Sequence, residues 1–280
     1  MLFIVATPIG NLSDITFRAI ETLKSCDYIL CEDTRHSLTL LQHYAIHKPL
    51  KSYHKFNESA RQDETINDLI DGKNVALISD AGTPGISDPG AQLIAACISQ
   101  NIKVVAIPGA CAAIAALCCS GLETDRFQFW GFLPKKQGEL KRSLYEILAY
   151  SGTTVCYESP NRLLDVLEIL NEIAPDRPLA VARELTKKFE EIQRGVAMTL
   201  LQHWKSSILK GEIVLLISGE KKEPMGDWED LTPLQHVEIV QTTYGLTKQE
   251  AIQTVAKIRG SSKRDIYNSV HRSISPEYKS

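Results

Sequence analysis

A loop rich in glycine, proline and aspartate follows an apolar segment of the chain. Val75–Ile78 has the composition of a buried strand, and Ser79–Gly90 then reads Ser-Asp-Ala-Gly-Thr-Pro-Gly-Ile-Ser-Asp-Pro-Gly. Glycine lets a ligand approach the main chain closely, and proline stiffens a loop by fixing φ. The spacing matches neither G-x-G-x-x-G nor the P-loop, which argues against dinucleotide or P-loop binding. We expect this loop to bind another kind of ligand; a plain turn is the alternative.

The strand-end rule for open α/β sheets places several such loops together. These sheets bind ligands at the carboxyl ends of their strands, so loops after neighbouring strands should line one edge. There Asp80 could accept hydrogen bonds from a ligand hydroxyl or amine, with Gly82 and Thr83 giving backbone contacts. The other loops that follow predicted strands in this half of the chain are Thr7–Asn11, Glu32–His36 and Pro108–Ala110.

Charged residues at strand ends are the candidates for catalysis. Glu32, Asp33 and Arg35 lie just past a buried strand, although a weak surface ion cluster is the alternative. Glu158 and Glu184 follow two later strands and would face a cleft between two domains. Structural ion pairs with neighbouring arginines are an equally weighted interpretation of these two glutamates.

Several classes of protein are disfavoured by the composition and the motifs. No spacing of His, Cys, Asp or Glu suggests a metal site, and no G-x-S-x-G elbow suggests a hydrolase. Apolar runs are too short to span a bilayer, and the start has no signal-peptide pattern, so no membrane partner is expected. Seven cysteines without Cys-x-x-Cys spacing indicate free thiols in a reducing cytoplasm.

The charge of the chain is unevenly distributed. The formal net charge of −3 gives no global sign of nucleic-acid binding. Between Lys248 and Lys279, however, seven Lys or Arg residues stand against three Asp or Glu residues. This segment predicts short helices, and basic helices joined by short turns are typical of small nucleic-acid-binding modules. A dimerisation or capping element is the alternative.

Hydrophobic periodicity predicts alternating strands and helices. In the first half this alternation indicates βαβ units around a mostly parallel sheet. The second half is expected to form another α/β domain, in which Thr186–Ala197 is either a hairpin or an irregular excursion. The predicted strands are Leu2–Ala6, Tyr28–Cys31, Val75–Ile78, Val104–Ile107, Phe127–Phe132, Thr153–Tyr157, Leu179–Ala182 and Ile213–Ile217. The predicted helices are Asp14–Lys24, Thr34–Tyr44, Ser59–Ile70, Pro89–Gln100, Leu140–Ala149, Arg162–Ile173, Leu234–Tyr244, Lys248–Arg259 and Lys263–Ser273.

A set of motifs in a fixed order resembles one known family. Besides the Ser79–Gly90 loop, they read Ala-Thr-Pro-Ile-Gly-Asn-Leu at 6–12, Cys-Glu-Asp-Thr-Arg at 31–35, Ile-Pro-Gly-Ala at 107–110, Gly-Phe-Leu-Pro at 131–134, Tyr-Glu-Ser-Pro-Asn-Arg at 157–162 and Ala-Arg-Glu-Leu-Thr-Lys at 182–187. Together they resemble the ribosomal RNA small subunit methyltransferase I family over residues 1–220. The chain departs from the family's usual pattern at Asn161, often His there, and at Cys111, often Ser.

The resemblance implies a tetrapyrrole-methylase-like α/β fold, with a mostly parallel N-terminal sheet, a mixed C-terminal sheet and a small helical C-terminal module. The pattern of predicted elements divides the chain into domains at 1–121, 122–220 and 228–280, with the polar segment Glu220–Asp230 as a linker and Gly245 between two of the C-terminal helices. The resemblance implies that S-adenosylmethionine is held between the first two domains. The implied reaction is methylation of a cytidine ribose 2′-hydroxyl in 16S ribosomal RNA of the small subunit, by a cytoplasmic homodimer. Ser79–Ala81 stands where porphyrinoid-methylating relatives tend to have Gly-Asp-Pro, which favours the RNA substrate.

Residues are assigned to this site by position in the motifs. A ribose hydroxyl is a weak acid, so a base or an alkoxide-stabilising cation should assist the transfer. We hypothesise that the base or the stabilising cation comes from a set of charged residues: Glu32, Asp33, Arg35, Glu58, Glu158 and Glu184. The expected cofactor-binding residues are Pro8, Ile9, Asp80, Gly82, Thr83, Cys111, Ala112, Tyr157, Leu185 and Glu212. Two alternatives remain open: methylation of a small porphyrinoid, and non-catalytic binding of S-adenosylmethionine or RNA.

Overall fold

The computed structural model describes residues 1–206, 210–219, 231–244 and 246–272. By its internal contacts the chain divides into two compact units, residues 1–220 and 221–280. The larger unit contains two five-stranded sheets, and the smaller unit is helical where it is described.

The first half of the larger unit is a parallel sheet flanked by helices. Its elements are β1 (Leu2–Val5), α1 (Phe17–Ser25), β2 (Tyr28–Cys31), α2 (Thr34–His43), β3 (Leu50–Ser52), α3 (Glu58–Ile70), β4 (Val75–Leu77), α4 (Ala91–Ser99), β5 (Val104–Ile107) and α5 (Ala112–Ser120). The strand order is β3-β2-β4-β1-β5, and every pairing is parallel. The four predicted strands are confirmed. The edge strand β3 was missed because it is short and only half-buried, so it has no apolar run.

Three predicted helix starts in this half are wrong. Helix α1 begins later than predicted, because Thr16 rather than Asp14 caps it by accepting from the backbone N–H of Ala19 at 3.1 Å. Helix α3 begins at Glu58 after Asn57, one residue before the predicted Ser59. Helix α4 begins at Ala91 rather than at Pro89, since the left-handed φ of +127° at Gly90 keeps the preceding loop non-helical.

The second half forms a mixed sheet. Its elements are β6 (Phe127–Phe132), α6 (Gln137–Ala149), β7 (Thr153–Glu158), α7 (Pro160–Ile173), β8 (Leu179–Arg183), β9 (Glu191–Gly195), α8 (Ala197–Lys205) and β10 (Ile213–Ile217). The order is β6-β7-β10-β8-β9, with β6 and β7 parallel and the other pairs antiparallel. The hairpin alternative for the Thr186 region is therefore correct. Helix α8 was not predicted.

Helix α5 joins the two halves of the larger unit. Its small buried residues, Ala113 and Ala116, share a hydrophobic cluster with Val155 and Val214 of the second sheet and with Ile9 of the loop after β1. Alanine side chains let a helix approach a sheet closely, which explains the Ala- and Cys-rich composition of α5. The helix therefore follows a strand of the first sheet and packs against the second.

The smaller unit packs three helices around its own apolar core. They are α9 (Pro233–Tyr244), α10 (Lys248–Ile258) and α11 (Lys263–Arg272), as predicted apart from their ends. Helix α10 begins with a capping box formed by Thr247 and Glu250. The predicted linker Glu220–Asp230, the joint at Gly245 and the predicted helix end at Ser273 lie outside the described residues. Within the described segments, no helix has the length and apolar character needed to cross a membrane.

Candidate active site

A cavity of about 360 Å³ lies between the two sheets of the larger unit. Its walls are the ends of parallel strands in both sheets and the start of β10, which runs antiparallel to β7. This volume falls within the range of small-molecule sites, roughly 300–1,000 Å³. The first half contributes Ile9, Asp80–Thr83, Ile86–Asp88, Cys111 and Ala112, and the second half contributes Phe132, Tyr157–Pro160, Ala182, Leu185 and Gly211–Val214.

Backbone hydrogen bonds join the loops of the first wall. Thr7 N–H donates to the carbonyl of Gly82 at 2.8 Å, and Gly82 N–H donates back to the carbonyl of Thr7 at 3.1 Å. The hydroxyl of Thr83 donates to the carbonyl of Ala110 at 3.1 Å. Gly82 has φ of +82°, and a Cβ there would lie 3.3 Å from the Ile9 side chain. The loops after β1, β4 and β5 therefore form one continuous surface.

The loop after β1 also touches the second half. Asn11 N–H donates to the hydroxyl of Thr186 at 3.0 Å. A Cβ at Gly10 would collide with the side chains of Thr186 and Lys187, so only glycine fits this approach. The contact ties the loop after β1 to the segment that follows β8.

Glu184 supports the turn that borders the cavity at Gly211 and Glu212. Its carboxylate accepts from Lys187 Nζ at 2.8 Å and from Glu212 N–H at 3.0 Å, and it occupies the space that a Cβ on Gly211 would need. Lys187 also donates to the Glu212 carboxylate at 3.0 Å. Glu184 thus lies behind the cavity wall in a structural ion pair, but its partner is Lys187 and not the neighbouring arginine that the sequence suggested, because Arg183 pairs with Glu191.

Glu158 is buried beneath the cavity, with its side chain fully enclosed. Its Oε1 accepts from Ser159 N–H at 2.7 Å and from Arg162 Nη1 at 3.2 Å. Its Oε2 has no hydrogen-bond partner in the described structure. Burial raises the pKa of this carboxyl group, against the opposing effects of the Ser159 N–H and Arg162. Arg162 in turn donates to the carbonyl of Leu133 at 3.1 Å, tying this strand end to the loop after β6.

An acidic group lines the other side of the cavity. Burial raises the pKa of Asp88 to about 6, and the negative charges of Glu32, Asp80 and Glu212 add to that shift. Burial and Asp80 also raise the pKa of Glu32, which His54 opposes. Asp80 is fixed by the backbone, because its Oδ1 accepts from Asp33 N–H at 3.2 Å. The result is a concentration of negative potential suited to a cationic ligand.

Aromatic side chains cover the cavity from the second half. The Tyr157 ring meets those of Phe129 and Phe132 edge-on, with centroids 5.0 and 5.7 Å apart. Burial, and then the nearby Cys111, raise the pKa of the Tyr157 hydroxyl to about 12, so it stays protonated. Phe132 is 61% exposed, which leaves an aromatic face available at the cavity.

The structure brings most of the sequence-predicted binding residues to this cavity. Ile9, Asp80, Gly82, Thr83, Cys111, Ala112, Tyr157, Leu185 and Glu212 all line it, whereas Pro8 does not. Glu158 is the residue from the predicted catalytic set that lines it as well. Their roles toward a ligand remain predictions.

The other members of the predicted catalytic set lie around the cavity. Glu32 faces Asp80 and Asp88. The Asp33 carboxylate forms a two-pronged ion pair with Arg35, whose side chain is 90% exposed, and hydrogen bonds from Arg35 hold the pKa of Asp33 well below its usual range. Glu58 is buried and accepts from Gly90 N–H at 2.9 Å, so it holds the end of the Ser79–Gly90 loop.

Sequence reasoning did not select Asp88, which lies inside the motif that it singled out. The sequence signal that could have found it is that Asp88 is the second aspartate of this loop and directly precedes Pro89. No group of three or more His, Cys, Asp or Glu side chains could hold a metal ion, as far as the described residues extend.

Residues 1–201, more than two thirds of the chain, match the family model described as tetrapyrrole (corrin/porphyrin) methylases. The chain belongs to this family. The match includes the first sheet, strands β6 to β9 of the second sheet and every lining residue of the cavity before Gly211. Strand β10 and the Gly211–Val214 part of the cavity wall follow the matched residues.

Several curated relatives match this chain over nearly its full length and share one name. The chain is 47% identical over 275 residues to the ribosomal RNA small subunit methyltransferase I of Halalkalibacterium halodurans, covering 97% of this chain and 94% of that protein. Proteins of the same name from Synechocystis sp. and Bacillus subtilis are 44% and 42% identical, over 95% and 97% of this chain and 96% and 94% of theirs. The motif-based resemblance is confirmed, and this tetrapyrrole-methylase family member is a methyltransferase.

Solved structures agree with the two-sheet architecture. A uroporphyrin-III-C-methyltransferase from Thermus thermophilus matches with a TM-score of 0.54 and 19% identity, over 78% of this chain and 93% of that chain. A diphthine synthase matches with a TM-score of 0.59 and 13% identity, over 78% and 89%. At such low identities these matches bear on the fold alone, and they confirm the predicted fold class.

Proposed function

We propose that this tetrapyrrole-methylase family member transfers a methyl group from S-adenosylmethionine to a cytidine ribose 2′-hydroxyl in 16S ribosomal RNA of the small subunit. The observation that carries the proposal is the near-full-length relation to proteins named ribosomal RNA small subunit methyltransferase I, at up to 47% identity. The relation extends through the helical C-terminal segment, which the family model does not cover.

The cavity fits the proposed methyl donor. When bound, S-adenosylmethionine supplies an electrophilic methyl group on a positively charged sulfur, and its ammonium group adds a second positive charge. Acidic side chains of Asp80 and Glu212 line a cavity of about 360 Å³, and Gly82 leaves its backbone open to close approach. The residues that would hold the donor are Pro8, Ile9, Asp80, Gly82, Thr83, Cys111, Ala112, Tyr157, Leu185 and Glu212.

The chain's own tasks in the reaction are positioning, exclusion of water and removal of the hydroxyl proton. Within the predicted set, Glu32 lies against the acids of the cavity and Glu158 lies in its wall, so these two remain candidates for proton handling. Asp33 and Arg35 form an exposed pair suited to RNA contacts. Glu58 and Glu184 act on the shape of the site, because each accepts from a backbone N–H of a loop that borders it.

Exposed cations and aromatic side chains supply the proposed RNA contacts. Lys263 and Arg264 are exposed at the start of α11, and the ring of Tyr267 lies 4.2 Å from that of His271 on the same helix. Phosphate groups bind such cations, and unpaired bases stack on exposed rings. We further propose that the chain works as a cytoplasmic homodimer without a metal, and that its domains are residues 1–121, 122–220 and 228–280.

A labelling experiment tests the proposal. The protein is incubated with methyl-labelled S-adenosylmethionine and one of three acceptors: small subunits lacking the modification, naked 16S RNA, or a porphyrinoid. We expect label in RNA from at least one of the first two, and nuclease mapping should place it on the ribose of a cytidine.

The other outcomes separate the alternatives. Label in the porphyrinoid alone would favour the small-molecule reaction. Tight donor binding by calorimetry without label in any acceptor would favour a non-catalytic binding protein. Label on a base rather than on a ribose would contradict the proposed acceptor atom.

A further inference from the structure

Asp88 occupies a place in the cavity that the binding assignments leave unexplained. It lies on the loop between β4 and α4 and lines the cavity together with Asp80 and Glu212. The charged side chains that act on it come from three elements: Glu32 after β2, Asp80 after β4 and Glu212 before β10, and all are acidic. The Ser79 and Tyr157 hydroxyls also face it, and a hydrogen bond from Ser79 opposes the rise in the pKa of Asp88.

The loop holds Asp88 in a strained and well-anchored conformation. The preceding residue, Ser87, has φ of +64°, a left-handed conformation that costs a residue other than glycine about 1 kcal/mol or more. Gly90, two residues further on, has φ of +127° and donates its N–H to the buried Glu58 at 2.9 Å. Strain of this kind persists where the surrounding structure fixes it, and it is concentrated at functional sites.

Each of the other carboxylates that line the cavity is either enclosed or already holds a hydrogen-bond or ion-pair partner. The Oε2 of Glu158 is enclosed beneath the wall, and its Oε1 is bound by Ser159 and Arg162. Asp80 accepts from the backbone N–H of Asp33. Glu212 forms an ion pair with Lys187. Asp88 is thus the cavity carboxylate best placed to accept a proton from an incoming group.

We propose that the Asp88 carboxylate accepts the proton of the acceptor hydroxyl during methyl transfer. This role rests on the proposed function. The hydroxyl oxygen forms a bond to the methyl carbon while the carbon–sulfur bond breaks, and that electron pair returns to sulfur. The proton passes to Asp88 and then to solvent, which leaves a methyl ether, a neutral thioether and a regenerated carboxylate.

The raised pKa of Asp88 is consistent with this role, because a base works best when its pKa lies near the working pH. The carboxylate must be ionised to accept a proton. Single-turnover methylation by the wild type should therefore fall as the pH drops through about 6 and level off above it.

The test compares Asp88→Asn with Asp71→Asn, which changes an exposed aspartate at the end of α3. Single-turnover rates on small subunits are measured from pH 5 to pH 9 at saturating donor, and donor affinity is measured by calorimetry. Removal of a general base typically costs about 10²–10⁴-fold in rate. We expect a loss of that size for Asp88→Asn without the inflection near pH 6, wild-type donor affinity within about threefold, and no change for Asp71→Asn.

Thermal unfolding supplies a readout that does not depend on activity. Above pH 7 the ionised Asp88 is disfavoured in the folded state, because its folded pKa is raised. Asp88→Asn should therefore unfold at a higher temperature than the wild type at pH 7.5, and the difference should shrink as the pH falls from 6 to 4.

Two results would overturn the proposal. One is a rate within a few-fold of wild type for a folded Asp88→Asn protein. The other is a tenfold or greater loss of donor affinity with a near-normal rate at saturating donor, which would make Asp88 a donor-binding residue. A wild-type protein that methylates no RNA would instead refute the proposed function itself.

Discussion

At the scale of single residues, the backbone conformation of Gly82 controls the proposed donor site. Its φ of +82° is unfavourable for any residue with a Cβ, and the added atom would press on Ile9 at 3.3 Å. Gly82 also shares a two-way backbone bridge with Thr7. A side chain at this position would therefore disturb both the bridge and the wall of the cavity.

We expect Gly82→Ala to lower both stability and donor affinity. Backbone strain of this kind costs about 1–3 kcal/mol, and a shift of the Ile9 wall should weaken S-adenosylmethionine binding by about tenfold or more. Calorimetric titration and thermal unfolding measure the two effects separately.

Gly72→Ala is the matched control for Gly82→Ala. Gly72 has a similar φ of +90°, but a Cβ there meets nothing within 4 Å. The Gly72→Ala variant should lose a similar amount of stability and keep wild-type donor affinity. Equal donor affinity in the two variants would contradict the role given to Gly82.

At the scale of elements, the start of α3 holds the loop that carries Asp88. The Glu58 carboxylate is buried at the first position of α3 and accepts from Gly90 N–H. Nearby, burial raises the pKa of the Tyr53 hydroxyl, and Glu58 adds to the shift. This hydrogen bond links the start of α3 to the β4–α4 loop.

Glu58→Ala should destabilise the protein and slow the reaction. It leaves the Gly90 N–H without its acceptor, which costs about 1–3 kcal/mol for a buried donor. Glu58→Gln keeps an accepting oxygen and should retain most of the stability. Urea unfolding and single-turnover rates measure both variants; equal losses in the two would show that the charge, rather than the hydrogen bond, is what matters.

The loop between β3 and α3 also presents a ring to solvent. Phe56 is 95% exposed, and its centroid lies 6.1 Å from that of His54, which acts on Glu32 beside the cavity. Arg35, 90% exposed, follows the neighbouring strand β2. An exposed aromatic ring is suited to stacking against an unpaired base.

Phe56→Ala should weaken binding of the RNA substrate with little effect on the donor. Loss of one stacked base costs about 1–3 kcal/mol, or roughly five- to hundredfold in affinity. Ile70→Ala is the control, because Ile70 is 61% exposed at the opposite end of α3. Filter binding of small subunits or naked RNA measures the RNA affinity of both variants. Equal RNA affinities for Phe56→Ala and Ile70→Ala would exclude Phe56 from the RNA interface.

The elements were predictable where the hydrophobic pattern was strong. Buried strands such as β2 and β4 have continuous apolar runs, and the glycine- and proline-rich loop that follows β4 lines the cavity. Edge strand β3 was missed because it is short and half-exposed. The role of Glu58 depends on a contact with Gly90, 32 positions away, and no local pattern encodes such a contact.

At the scale of the whole molecule, the two units have different compositions and different expected partners. The cavity lies entirely within residues 1–220, whereas the cationic helices α10 and α11 lie in the unit at 221–280. The smaller unit has a core of its own, with Val240, Val255 and Val270 fully buried. Donor binding and RNA binding should therefore be separable by truncation.

Deletion of residues 228–280 should weaken RNA binding more than donor binding. The lost helices carry Lys257, Lys263 and Arg264, and each phosphate contact removed should also flatten the dependence of affinity on salt. Donor affinity by calorimetry and RNA affinity at several salt concentrations measure the two sites on the same protein. A truncated chain with unchanged RNA affinity and an unchanged salt slope would exclude the C-terminal helices from the RNA interface, since lost phosphate contacts must alter both quantities.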